Sequence, residues 1–398
     1  MIDIVLWGGW YGSHNVGDRV LLLTITDIIS RNLGDVRFTV LTDNPDQVIA
    51  YTREESICQI RAIKSRRQLF QVVHAIATSD LFIFGGAVPF YEEYFHIIVM
   101  LFLVSLCRFF KTPYMTWTVS SQIVTKKWVK RLFGWVLNGA QAISYRDDHT
   151  RQLFEACGVD KPMVHTADSG FWLQPAGEGL AKELIHRAGK RDPSRSLVAL
   201  TPRTLSYSNR EAGKHFNPKS PEQYELELSC FAAAVDWLWD KGYQPIFVPM
   251  NTVAPDDDRI AAKQVIERAK NGKYALLIDE QVRPRIAPAI FKQCSFSFVA
   301  RVHGSITSAV GNCPIIMYAF APKHAGIMRS MGLDRYILLE SQASPAKTIE
   351  LLADMEINRG QVVASLHQRL EKLRQEALIP LHLVEQILEN SNLAGRAG

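Results

Sequence analysis

Short apolar runs recur along this chain, each followed by a stretch long enough for a helix. Residues 2–6 (IDIVL), 37–41 (RFTVL), 80–84 (DLFIF), 113–118 (PYMTWT) and 140–144 (AQAIS) form a first series. Residues 197–201 (LVALT), 245–249 (PIFVP), 275–278 (ALLI), 295–300 (SFSFVA) and 314–318 (PIIMY) form a second. Strands buried on both faces read as near-continuous apolar runs. Their alternation with helices predicts α/β architecture with parallel sheets covered on both sides. Between the series, 174–196 (QPAGEGLAKELIHRAGKRDPSRS) breaks the rhythm with Gly, Pro and clustered charge. A chain of 398 residues exceeds one ordinary core. The expected organisation is a Rossmann-like domain over 1–175, a linker over 176–196, a second Rossmann-like domain over 197–380, and a helix end or tail over 381–398. In the second domain, 222–241 reads as a helix with Phe231, Val235 and Trp239 on one face, and 361–388 as a terminal helical region. Ligands of such sheets sit at the carboxyl ends of strands. Two such edges are expected to face one another across a cleft.

Composition narrows the partners. Apolar content of 47% and charged content of 21% fit a globular protein. A net charge of +5 suits anionic small molecules or an anionic lipid surface and falls short of a nucleic-acid footprint. The six cysteines, Cys58, Cys107, Cys157, Cys230, Cys294 and Cys313, contain no CxxC pair and read as buried reduced thiols. The start MIDIVLWGG lacks a basic n-region and a cleavage site, so a cytoplasmic location is expected. The longest apolar run, 95–110 (FHIIVMLFLVSLCRFF), is shorter than a spanning helix of roughly 20 residues, and Arg108 interrupts it. Nearby, Trp128, Phe133 and Trp135 interleave with Lys126, Lys127, Lys130 and Arg131. Two readings are open for this stretch: a solvated helix face, or peripheral contact with a lipid surface.

The candidate chemistry lies just after strands. WGGWYGSHNVGD, residues 7–18, follows the first apolar run. It is neither GxGxxG nor a P-loop, so a nicotinamide or ATP site is a poor reading. Its glycines serve a tight strand-to-helix turn equally well, with Asn15 or Asp18 as helix cap. Trp10, Tyr11 and His14 are large rings suited to stacking on a sugar. A second strand ends in Gly85-Gly86, which implies close backbone approach. Arg146-Asp147 follows a third; an ion pair within it, with Asp147 capping the next helix, is expected. The most chemical stretch is Arg301-Val302-His303-Gly304-Ser305. Strand alternation would put Arg301 and His303 on one side, with a helix opening over 304–310. Guanidinium, imidazole and a helix N-terminus together make an anion site with a proton donor. Arg203 and Lys323, each after a strand of the same domain, add cations. Asp256-Asp257-Asp258 reads as the charged start of a helix, and no cluster has metal-ligand spacing.

In order, these motifs resemble the polysaccharide pyruvyl transferase family: Gly9 to Asp18, the Gly85-Gly86 strand end, Arg146-Asp147, Asp168 with Phe171, Arg301 to His303, and Ala321-Pro322-Lys323. The sequence departs from the family at Phe320-Ala321, where Tyr-Asp is frequent. The resemblance implies a two-Rossmann, glycosyltransferase-B-like fold. It also implies transfer of the pyruvate moiety of phosphoenolpyruvate to a sugar of a cell-surface polysaccharide or lipid-linked glycan, giving a cyclic ketal. Arg203 and Arg301 would bind the donor, with Val302, Gly304, Ser305 and Lys323 around it, and His303 would be the acid. Trp10, Tyr11, His14, Asn15, Asp18 and Gly86 would meet the acceptor. No cofactor or metal is required, and a protein on the inner face of the plasma membrane would suit a lipid-linked acceptor. The alternatives are a nucleotide-sugar glycosyltransferase of the same architecture and a non-catalytic glycan-binding protein. The first is disfavoured because no acidic residue follows the helix after His303 to hold a ribose.

Overall fold

The computed structural model describes residues 1–8, 10–42, 44–52, 58–61, 66–86, 88–204, 220–254 and 256–396. Gly9, Asp43 and the side chain of Cys58 lie outside the described residues. The chain forms two compact units. The first comprises Met1–Ser13, Asp18–Trp172 and Arg374–Gly398; the second comprises His14–Gly17 and Leu173–Leu373.

The first unit carries seven parallel strands: β1 (Ile2–Trp7), β2 (Val36–Leu41), β3 (Cys58–Arg61), β4 (Leu81–Gly85), β5 (Tyr114–Val119), β6 (Ala142–Tyr145) and β7 (Met163–His165). Their order is β3-β2-β1-β4-β5-β6-β7. Leu6 stands beside Val40 on one flank and Ile83 on the other. The period of two shows directly in the cores. Ile4 and Leu6 pack with Phe38, Val40, Leu81 and Ile83, while Val5 and Trp7 pack with Phe82 and Phe84 on the other face. The connecting helices are α1 (Val16–Leu33), α2 (Pro45–Thr52), α3 (Arg66–Thr78), α4 (Tyr94–Phe110), α5 (Lys127–Asn138) and α6 (Asp148–Ala156). Leu22, Ile25 and Ile28 of α1 cover the first face; Val72 of α3, Met100 of α4 and Phe133 of α5 cover the second.

The second unit has six parallel strands: β8 (Ser196–Thr201), β9 (Tyr243–Phe247), β10 (Leu276–Leu277), β11 (Cys294–Val299), β12 (Ile315–Ala319) and β13 (Ile337–Leu339), in the order β10-β9-β8-β11-β12-β13. Its helices are α7 (Glu178–Arg187), α8 (Pro221–Asp240), α9 (Asp258–Arg268), α10 (Ile286–Phe291), α11 (Val302–Val310), α12 (Pro322–Ser330) and most of α13 (Pro345–Glu376). Proline at the first turn and a Ser220–Gln223 capping box start α8. Residues 176–196, where a linker is expected, instead hold α7, which belongs to the second unit. Over 381–398, where a helix end or tail is expected, runs α14 (Ile379–Arg396), whose Leu381 and Val384 sit in the first unit's core beside Ile4 and Leu6. Cys107, Cys157, Cys230, Cys294 and Cys313 are buried. Burial pushes the Cys107 and Cys294 thiols up to about 12, which removes them as nucleophiles.

Candidate functional site

Both sheets share one topological event. β1 lies between β2 and β4, and β8 lies between β9 and β11, so the chain reverses its direction of winding there. A crevice opens at the carboxyl ends of the two strands at such a point. In the first unit it is bounded by the residues after Trp7 and by Gly85-Gly86. In the second it is bounded by Thr201 to Thr204 and by Ala300 to His303.

The second crevice is lined with charge. The Ala300 N–H donates to the Thr201 carbonyl at 2.9 Å, closing the gap between β8 and β11. Arg301 is almost fully buried, and its guanidinium grips the loop before α9. Nη1 donates to Asp256 Oδ2 at 2.8 Å, Nη2 to the Asp256 carbonyl at 3.1 Å, and both Nε and Nη2 to Asp258 Oδ1 at 3.2 and 2.5 Å. Burial lowers the guanidinium pKa, but the two carboxylates outweigh it and hold Arg301 above its ordinary value. Asp258 also accepts from the Met250 and Asn251 N–H groups, at 3.0 Å each. Burial, the largest effect, raises its pKa. The structure therefore turns Arg301 onto carboxylates rather than into open space, where a donor clamp was expected of it. Arg203 is different. Its Nε stands 3.6 Å from Asp256 Oδ1 and has no hydrogen-bond partner among the described residues. Its guanidinium lies 5.0 Å over the Phe320 ring. Burial first, then the neighbouring Arg301 charge, pull its pKa down. Beneath it, the fully buried Glu227 accepts from the Arg203 N–H at 3.0 Å.

The helix expected over 304–310 begins two residues earlier, with Arg301 as its N-cap and His303 in its first turn. Strand alternation therefore does not relate Arg301 to His303. The imidazole instead lies against Gly17, where an added Cβ would fall 2.3 Å from His303 Nδ1. That contact gives Gly17 a reason to lack a side chain. Gly304 passes close to Thr201 in the same way, a Cβ there meeting Oγ1 at 3.1 Å. The Ser305 hydroxyl donates to the Val302 carbonyl at 2.6 Å, so it braces the turn. Lys323 is half-buried in the first turn of α12, after β12.

In the opening loop, Tyr11 is 1% exposed, and its hydroxyl donates to the Gly85 carbonyl at 2.8 Å. An added Cβ at Gly8 would meet the ring at 2.5 Å, and one at Gly85 the hydroxyl at 2.3 Å. Tyr11 is thus a core residue between two glycines, not the sugar platform expected of it. Trp10 remains 41% exposed, 6.5 Å from Tyr91. The cap of α1 is Asn15, whose Oδ1 accepts from the Gly17 N–H at 2.8 Å; Asp18 accepts from the Ser13 hydroxyl at 2.8 Å. His14 and Asn15 belong to the second unit, where Gln281 Nε2 meets His14 Nδ1 at 2.8 Å. Gly86 has φ +59, and its carbonyl accepts from Arg146 at 3.1 Å. Arg146 pairs with the buried Asp168, not with Asp147. Asp147 caps α6 through the Thr150 N–H at 2.8 Å, as expected.

Sequence reasoning passed over Asp256, Asp258 and Glu227 as site residues. Asp257 does cap α9, which is the helix start expected of the acidic run, but its two neighbours serve Arg301. Glu227 carried a signal: it lies four residues before Phe231 and eight before Val235, on the apolar stripe of α8. An acid on such a stripe is buried for a reason. Among the described residues, no group of three or more His, Cys, Asp or Glu side chains is arranged to hold a metal.

Known structures resemble this one in fold. A Listeria monocytogenes protein assigned as a UDP-N-acetylglucosamine 2-epimerase superposes with TM-score 0.62 at 9% identity, covering 97% of this chain and 96% of its own. The Neisseria meningitidis UDP-GlcNAc 2-epimerase gives 0.61 at 7%, covering 97% and 100%. A Thermobaculum terrenum O-GlcNAc transferase mutant gives 0.52 at 11%, covering 98% of this chain and 69% of that one. The fold is the two-Rossmann, glycosyltransferase-B-like one. No curated protein matches significantly. The sequence profile for polysaccharide pyruvyl transferase matches residues 15–321, from the cap of α1 to the residue before Pro322. The chain belongs to the polysaccharide pyruvyl transferase family and is a transferase.

Proposed function

We propose that this enzyme moves the pyruvate moiety of phosphoenolpyruvate onto two hydroxyls of a sugar, in a cell-surface polysaccharide or a lipid-linked precursor, and releases phosphate. The observation that supports the reading is the crevice at β8 and β11: Arg203 follows the carboxyl end of β8, and the first turn of α11 with His303 follows that of the adjacent β11, at the sheet's switch point. In this reading, Arg203 takes the donor's anionic groups, assisted by the first-turn N–H groups of α11 (Val302 to Gly304) and by Lys323, while the Ser305 N–H is held by the Arg301 carbonyl at 3.1 Å. Arg301 acts through Asp256 and Asp258 as a positioning residue. His303, protonated, delivers its proton to the methylene carbon. Positive character develops at the carbon bearing phosphate, and a sugar hydroxyl attacks it, its proton restoring the imidazolium. Phosphate then leaves with its bridging oxygen, and the second hydroxyl closes the ketal with loss of its proton to solvent or phosphate. The exposed Trp10 ring is of the kind that stacks on a sugar. The reaction so written needs no cofactor, and its donor is a cytoplasmic metabolite.

Incubating the enzyme with phosphoenolpyruvate and candidate glycans should release phosphate in step with ketal formation. His303→Ala should lower kcat by roughly 10²–10⁴-fold, the range for a general acid. Near-normal turnover would remove His303 from the role. Stabilisation by a nucleotide sugar, but not by phosphoenolpyruvate, would favour the glycosyltransferase alternative.

A further inference from the structure

A helix on the surface of a protein ordinarily turns polar residues outward. The helix α4 does not. Its inner face, His96, Ile97, Met100, Leu103, Val104 and Cys107, is buried as usual. Its outer face presents Tyr94, Phe95, Ile98 and Phe109, exposed by 55, 71, 63 and 79%, with Phe102 between them. The neighbouring helix α5 buries Val129, Phe133, Val136 and Leu137 and turns Trp128, Arg131 and Trp135 outward. Ring contacts join the two faces into one surface. Tyr94 stacks on Trp128 at 5.9 Å with planes 8° apart, and Arg108 lies 3.9 Å over Trp135 while donating to its carbonyl at 2.7 Å.

The charge around this surface is predominantly positive. Residues 94–146 contain no aspartate or glutamate, while Arg108, Lys111, Lys126, Lys127, Lys130 and Arg131 all fall within them. Among the described residues, none of those six cations is in a salt bridge. The nearest acids in sequence, Glu92 and Glu93, are turned onto backbone: Glu92 accepts from the Thr125 N–H, and Glu93 caps α4 through the Phe95 N–H at 3.0 Å. Lys126 donates to the Tyr94 hydroxyl at 2.8 Å, which sets a cation at the aromatic edge. Exposed aromatic and aliphatic side chains ringed by Lys and Arg outside salt bridges, with Lys126 alone drawn toward Glu92, match the interface of a membrane with anionic headgroups. Among the described residues, no helix is long and apolar enough to cross a membrane.

We propose that the outer face of α4 and α5 is a docking surface for an anionic lipid membrane. Phe95, Ile98, Phe102 and Phe109 enter the acyl boundary, Trp128 and Trp135 sit at headgroup depth, and Lys127, Lys130 and Arg131 meet lipid phosphates. The charge complementarity selects lipid over a neutral apolar partner. The inference stands apart from the transfer reaction, because its test reads no turnover.

Flotation of the full chain with vesicles of 70% phosphatidylcholine and 30% phosphatidylglycerol should recover it with the lipid. Pure phosphatidylcholine should recover much less, and raising the salt should weaken the binding. Phe95→Ser/Ile98→Ser/Phe109→Ser and Lys127→Glu/Arg131→Glu should each lower the bound fraction by roughly tenfold or more. Their melting temperatures should not change, because all five side chains are exposed. Three results would overturn the proposal: no binding to either vesicle, equal binding by the variants, or a dimer in light scattering that the variants dissociate while vesicles bind nothing. The last would assign the face to a second copy of the chain.

Discussion

The β1/β4 crevice of the first unit and the β8/β11 crevice of the second arise from the same strand order, but the side chains delivered to them differ in kind. The first is filled by the chain's own rings. Tyr11 closes over Gly8 and Gly85, and His96 stacks on Trp7 at 4.8 Å and lies tilted against Tyr91 at 4.3 Å. The second is lined by Arg203, Arg301, Asp256, Asp258, Glu227 and His303. Topology makes the place for a ligand; residue chemistry decides whether the place is occupied from within. A buried guanidinium held by two carboxylates is a rigid, polar wall, and a buried tyrosine between glycines is a plug.

The largest expected effect tests the wall. Arg301→Met leaves the fully buried Asp258 without its cation, and the partly exposed Asp256 with Arg203 alone. Breaking a buried ion pair by removing one partner costs about 3–5 kcal/mol. The unfolding transition of the second unit should move to lower urea by that amount, with Asp258→Asn/Arg301→Met recovering part of it. A loss below about 1 kcal/mol, with a large rise in the KM for phosphoenolpyruvate, would instead make Arg301 an open donor clamp, and the two crevices would differ less than the contacts indicate.

The next effect tests the plug through pH. A carbonyl only accepts, so His96 Nε2 carries the hydrogen that meets the Pro89 carbonyl at 2.8 Å. Burial lowers its pKa from 6.5 to about 4. The unfolded chain therefore binds the proton more tightly than the folded one. Stability from this group is intact above about pH 6.5 and declines as pH falls toward 4. The loss is about 3 kcal/mol, at roughly 1.4 kcal/mol per pKa unit. Urea midpoints measured from pH 7.5 to 4 should fall more steeply for the natural chain than for His96→Phe. Parallel curves would show that His96 is not the group protonated.

The sequence was most legible where burial is complete on both sides. Runs such as LFIFG and IIMYA, every residue buried, stand out because nothing polar interrupts them. The strands it did not reveal, β3 (CQIR), β7 (MVH) and β13 (ILL), are edge strands of three or four residues' pairing, too short for an apolar run to register. Within the site, the Arg-Val-His stretch was visible because a strand end followed by small residues is a local pattern. The partners of Arg301 were not, since Asp256 and Asp258 lie over 40 positions away and an acidic run before a helix is also the ordinary look of an N-terminus. Tyr11 misled for a related reason. A ring on a loop is exposed unless glycines elsewhere make room for it, and Gly85 is 74 positions distant. The pairing of Arg146 with Asp168 rather than with its neighbour Asp147 has the same origin: adjacent residues at a strand end point apart, and the helix that follows claims Asp147 as its cap.

The smallest effect is the most discriminating for the plug. Tyr11→Phe keeps the ring between Gly8 and Gly85 and deletes only the hydroxyl, leaving the Gly85 carbonyl without this donor. A buried hydrogen bond of this kind contributes about 1 kcal/mol, so the urea midpoint of the first unit should fall slightly while every kinetic constant stays at its natural value. Because Tyr11 is 1% exposed, no sugar can reach its hydroxyl while the ring is packed as it is. A tenfold rise in the acceptor's KM with unchanged stability would mean that the ring leaves its seat during the reaction. The first crevice would then be a binding surface like the second, opened by the acceptor rather than standing open, and the contrast between the two would be one of timing instead of chemistry.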